Sequence, residues 1–188
     1  MNYEAIVIGV SSGGLNAMKI IFSLLPKDFI TPIIIVQHIS PHSDNQWIKH
    51  INDDSNLKFK EADEKEKIEH GKVYIAPPNY HLIIEKNKIF SLSIDERVNF
   101  ARPSIDVLFE SAAEAYKNKL IGVILTGSNN DGTKGMKLIN EYGGLTIVQD
   151  PTTAESKYMP ASVIAAVQVN YILSLNGIVD LLIKITQP

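Results

Sequence analysis

Cysteine is missing altogether from the 188 residues. That excludes a disulfide scaffold, a thiolate metal site and a cysteine nucleophile. Neither sign of charge is in excess: 18 basic and 21 acidic residues leave a formal net charge of −3. No basic stripe offers a track for phosphates, which argues against a nucleic-acid partner. Long apolar runs are missing too. The best candidate, residues 20–36, is broken by Pro26-Lys27-Asp28 and again by Pro32, short of the roughly 18 uninterrupted apolar residues a spanning helix needs. Met1-Asn2-Tyr3-Glu4 carries no basic stretch ahead of a hydrophobic one, so no secretory signal is visible and a soluble cytoplasmic protein is expected. What remains is 45% hydrophobic and 21% charged residues, a balance that builds a core rather than a disordered chain. At about 150 residues per domain, residues 1–188 are expected to form one domain.

Patterning predicts an α/β fold. Residues 5–10 (AIVIGV) and 33–37 (IIIVQ) read as strands buried on both faces. Between them, Leu15, Met18, Phe22 and Leu25 share one helical face before Pro26 ends the helix. A second helix is expected over residues 43–51, with Ser43 or Asp44 as its cap. Short runs at 57–62, 72–75, 81–85 and 88–93 suggest a small meander or hairpin insert. From Ser104, apolar residues recur at Ile105, Leu108, Phe109, Ala112 and Tyr116 as on a helix. Residues 120–125, 132–142 and 145–149 then form a strand–helix–strand unit, stopped by Gly143-Gly144. Strands alternating with helices at both ends imply a doubly wound, mostly parallel sheet with helices on both faces, and a small antiparallel insert near residues 72–93.

Ligands of such sheets bind beyond the carboxyl ends of the strands. Three strands end there in reactive side chains: Gly9-Val10-Ser11-Ser12-Gly13-Gly14, Gln37-His38, and Thr126-Gly127-Ser128-Asn129-Asn130-Asp131-Gly132. Gly9 to Gly13 fits G-x-S-x-G, whose glycines permit a tight strand-to-helix turn that presents a serine hydroxyl beside the amides of the next helix. A glycine-rich first turn is also the form of a nucleotide cradle. Against that reading, Ser11 stands where a dinucleotide fingerprint needs glycine, a P-loop lysine is missing, and Gln37-His38 replaces the acidic residue expected after the second strand. The α/β-hydrolase fold is excluded by the chain order Ser11, His38, Asp131, although a triad is defined by geometry rather than order. Asp131 also suits a helix cap. His42, His50 and His70 lie in polar stretches, whereas His81 opens a strand after Pro77-Pro78-Asn79-Tyr80, where a residue of the site rim would stand. Trp47 reads as packing, and the charge run over residues 61–69 as a solvated loop.

These loops together resemble the CheB family of chemotaxis protein-glutamate methylesterases. The resemblance is carried by Ile8-Gly9-Val10-Ser11-Ser12-Gly13-Gly14, Val36-Gln37-His38, Val73-Tyr74-Ile75-Ala76-Pro77, Arg102-Pro103-Ser104-Ile105-Asp106-Val107-Leu108-Phe109, Val123-Ile124-Leu125-Thr126-Gly127 through Asp131-Gly132, and Met159-Pro160, in order along the chain. It implies demethylation of glutamate γ-methyl esters on the cytoplasmic helices of chemoreceptors, and deamidation of certain glutamines. Carried over, it makes Ser11 the nucleophile, His38 the general base and acid, and Asp131 the residue that orients the imidazole. It calls for no metal and no organic cofactor. The Ser12 backbone N–H is the expected oxyanion donor, and Arg102, His81 and Ser128 are candidate substrate contacts. Two departures stand out. Family members usually carry an N-terminal receiver domain, whereas this chain opens on the first catalytic strand, as a free-standing or excised domain would. They also commonly have Met where Ser128 stands. The competing expectations are a CheB-like module that binds or regulates without turnover, an esterase for a non-receptor ester, and a nucleotide binder.

Overall fold

The computed structural model of the chain describes residues 3–38, 48, 51, 52 and 55–186. Its centre is a parallel sheet of seven strands: β1 (Ala5–Val10), β2 (Ile33–Gln37), β3 (Phe59–Glu61), β4 (Val73–Ile75), β7 (Leu120–Ile124), β8 (Leu145–Gln149) and β9 (Tyr171–Leu173), in the order β3-β4-β2-β1-β7-β8-β9. β1 lies in the middle and is fully buried, as its β-branched run requires. Ala5 and Val7 face one core, and Ile6, Ile8 and Val10 face the other. Helices cover both sides. α1 (Gly14–Leu24) and α5 (Leu175–Thr186) pack on the Ile6 side, and α2 (Ile105–Tyr116), α3 (Thr133–Glu141) and α4 (Tyr158–Ala166) on the Val7 side. Among the described residues no helix is long and apolar enough to cross a membrane.

The antiparallel insert is a single hairpin, β5 (His81–Ile84) with β6 (Phe90–Ser93). It docks on the Val7 side through Leu82, Ile84 and Phe90. The runs at 57–62 and 72–75 do not join it in a meander. They supply β3 and β4, parallel strands at one edge of the main sheet. Each is only three residues long, too short to show whether its partner runs parallel or antiparallel. The helix expected over 43–51 falls mostly outside the described residues, as do Trp47, His42 and His50; Ile48 and Ile51 are helical.

The chain runs from β1 to β2 on one side, and returns to add β7 on the other side of β1. This change of direction leaves a crevice at the carboxyl ends of the strands. The loops after β1 and β7 open into it, and His38 stands there at the end of β2.

Candidate active site

Gly13 sets the first loop. It is left-handed (φ 79°) as the residue before α1, a conformation glycine adopts without steric cost. Ser11 O accepts the Gly14 N–H at 2.9 Å, so the chain reverses within one turn. Ser11 N–H donates to Thr126 O at 3.0 Å and Gln37 Nε2 donates to Ser11 O at 3.1 Å, which ties this turn to the other two loops. Thr126, buried, donates its hydroxyl to Ser12 O at 2.8 Å. Ser12 Oγ lies 2.9 Å from Ser128 Oγ, bridging the first and third loops at the surface.

His38 continues β2 by one residue, its N–H donating to Val10 O at 3.0 Å. Its Nε2 lies 2.9 Å from Asp131 Oδ2. Its Nδ1 faces Asn129 Nδ2 at 3.1 Å. The tautomer follows from the neighbours. Asp131 N–H donates to Asn129 Oδ1 at 3.1 Å, which turns the Asn129 NH₂ toward the ring. Nδ1 therefore carries the lone pair and Nε2 the proton, and the Nε2–H donates a hydrogen bond to the carboxylate. No hydrogen bond joins Ser11 Oγ to His38, yet both side chains line one pocket of about 340 Å³ with Asn129, Arg97 and Phe100.

Asp131 is fully buried and does not cap the helix that follows it. Gly132 occupies the capping position of α3 without a side-chain bond. Asp131 instead closes the start of α2: Oδ2 accepts Ile105 N–H at 2.7 Å, and Oδ1 accepts Asp106 N–H at 3.1 Å and Ser104 Oγ–H at 2.9 Å. Asn99 Nδ2 adds a further bond to Oδ1 at 3.0 Å. A helix N-terminus favours negative charge. Burial acts to raise the Asp131 carboxyl, but the bonds from His38, Ile105 N–H and Asn99 outweigh it and hold the group below the ordinary carboxylate range. Its neighbour Asp106 goes the other way. Burial raises it, and the Asp131 charge adds to the rise, despite the 2.9 Å bond from Gly135 N–H.

This approach of α2 depends on Gly9. A Cβ there would stand 2.4 Å from Ile105 Cγ2, so only a bare backbone lets the start of α2 lie against β1. Gly9 thus sits inside β1 as a packing contact, and Gly13 alone shapes the serine turn.

The remaining candidates separate. His81 does not reach the rim. It is buried, accepts Ser104 N–H on Nδ1 at 3.2 Å, and donates from Nε2 to Glu96 O at 3.0 Å. Arg102 lines the pocket, but its Nη1 is committed to Ile94 O and Asp95 O at 2.6 and 2.9 Å. Both therefore brace the loop over residues 94–104. Asn99, Ser104 and Asn129 are site residues that pattern does not single out, since each works through a neighbour distant in sequence. Ser104 and Asn129 lie inside blocks on which the family resemblance rests; Asn99 gives no comparable signal.

Comparison with known proteins adds an independent line. The family model for CheB methylesterase matches residues 6–182. A protein of Leptospira interrogans serovar copenhageni is 62% identical over 187 residues, covering 100% of this chain and 97% of that protein. The protein-glutamate methylesterase/protein-glutamine glutaminase of Thermotoga maritima is 38% identical over 185 residues, and this chain spans 97% of its own length but 54% of that protein's. The crystal structure of the Thermotoga maritima CheB methylesterase catalytic domain superposes with a TM-score of 0.92 at 38% identity, over 98% of this chain and 99% of that one. With loops, fold and sequence agreeing over nearly the whole chain, the protein belongs to the CheB methylesterase family of carboxylic ester hydrolases.

Proposed function

We propose that residues 1–188 act as a cytoplasmic protein-glutamate methylesterase domain, removing methyl groups from glutamate γ-methyl esters on chemoreceptor helices through Ser11, His38 and Asp131. The observation that carries this reading is an imidazole held by a buried carboxylate on Nε2, with the acceptor nitrogen Nδ1 on the opposite side of the ring, in a side chain that lines one pocket with Ser11. Ser11 Oγ attacks the ester carbonyl as its proton passes to His38 Nδ1. The imidazolium, steadied through Nε2–H by Asp131, returns that proton to the methoxide oxygen as the C–O bond breaks, and methanol leaves. Water then cleaves the acyl-serine with His38 again as base. Glutamine side-chain amides react by the same route, releasing ammonia. The Ser12 N–H, the first amide after the nucleophile, is the candidate oxyanion donor. Asn129 Nδ2 stands at Nδ1, so Ser11 Oγ must take its place there for the proton to move.

The test is methanol release from methylated receptor membranes by the wild type and by His38→Gln. The proposal expects release by the wild type and a loss of about a thousandfold or more in the variant. Equal release by both would contradict it.

A further inference from the structure

The loop over residues 94–104 is braced from several sides around a turn whose last residue, Phe100, turns its ring to solvent. His81 holds Glu96 O and Ser104 N–H at its two ends. Arg102 clamps Ile94 O and Asp95 O, and Asn99 Nδ2 reaches inward to both Asp106 Oδ2, at 2.9 Å, and Asp131 Oδ1. Val98 and Ala101 exchange both backbone bonds, 3.1 and 2.9 Å, closing a two-residue turn at Asn99 and Phe100. Both turn residues are left-handed, φ 50° and 64°. Asparagine tolerates that region; phenylalanine does not. Phe100 is nevertheless 95% exposed, with Ile94 at 71%, the two most exposed large apolar side chains among the described residues. A bulky ring in a strained conformation, off the core and on the rim of the Ser11–His38 pocket, is explained by something it meets outside the chain.

We propose that Phe100, presented by this braced turn, is a specificity-determining residue that seats an apolar side chain of the polypeptide substrate beside the esterified glutamate. The occupant is a protein segment rather than a small ester. In the methylesterase reading the glutamate ester side chain enters the pocket of about 340 Å³, and Phe100 lines that pocket with its ring exposed, where the polypeptide that bears the side chain must pass. Arg97, also on the rim, suits an acidic residue in the same segment. The inference rests on the methylesterase reading above and adds which part of this chain reads the flank of the substrate.

Phe100→Gly removes the ring and relieves the left-handed strain together, so folding is not in jeopardy. With methylated receptor membranes, the expected result is a KM raised about tenfold with kcat within twofold of wild type. Phe100→Leu, which keeps an apolar side chain, should restore most of the loss, and the melting temperature of Phe100→Gly should match or exceed the wild type. An unchanged KM in Phe100→Gly overturns the proposal, as does a loss confined to kcat, which would put the residue in the chemical step. If the wild type itself releases no methanol, the methylesterase reading fails first and takes this inference with it.

Discussion

Six donors converge on the two oxygens of Asp131: His38 Nε2, Asn99 Nδ2, Ser104 Oγ and the amides of Ile105, Asp106 and Gly132. A carboxylate satisfies all of them; an amide cannot, because one of its two ends is itself a donor. Asp131→Asn should therefore destabilise the fold by about 3 kcal/mol at neutral pH, a loss typical of a broken buried charge network. The pH dependence has a definite sign. The folded carboxyl lies below its ordinary range, so its contribution is fully present above about pH 4 and is lost as pH falls through the lowered folded value. Urea titrations should show the gap between wild type and Asp131→Asn closing on acidification; a gap independent of pH would contradict this account. At this scale the site was partly legible in the sequence. Ser11 and His38 stand at the ends of β-branched runs, and Asp131 lies in the polar loop that follows a third, which brings them to one sheet edge. The donors from residues 99–106 were not legible, because that segment reaches Asp131 only after folding. His81 misled for a local reason: its place after Pro77-Pro78-Asn79-Tyr80 has the form of a rim turn, while the ring points under the neighbouring loop.

The approach of α2 to β1 is the element-level condition for that network. Gly9→Ala drives a methyl into the Ile105 and Ile124 side chains, which presses the first turn of α2 away from Asp131. Overpacking of this kind costs about 1 to 3 kcal/mol. The variant should unfold at lower urea than wild type and lose activity together with stability, since the amides of Ile105 and Asp106 shift. An unchanged midpoint would show that the packing is looser than the contact implies. The long elements that build this scaffold were readable because hydrophobic period and turn residues agree: β1, β2 and β8 fall where patterning puts them, and α1, α2 and α3 within a residue or so. Beyond Gln149 patterning assigned nothing. α4 is apolar on every side apart from Ser162 and the Tyr158 hydroxyl, so it shows no amphipathic contrast, and β9 is three residues long and largely exposed. α5 does carry helical spacing at Ile178, Val179 and Leu182.

Across the whole molecule, the reversal of strand order beside β1 brings three strand ends to one crevice. The fold supplies positions, and the chemistry comes from what the loops place there. This explains why a nucleotide reading of the first turn has little to stand on: the residues that meet its glycines are Glu155, at Gly13, and Gln37 Oε1, at Gly14, an acid and a carbonyl oxygen that disfavour phosphate. The central claim is that Ser11 is the nucleophile of an ester hydrolysis completed by His38 and Asp131. Its most direct test compares methanol release from methylated receptor membranes by the wild type and by Ser11→Ala, with melting curves to show that both are folded. The account predicts release by the wild type and a loss of at least about a thousandfold in the folded variant; release by Ser11→Ala at the wild-type rate would contradict it.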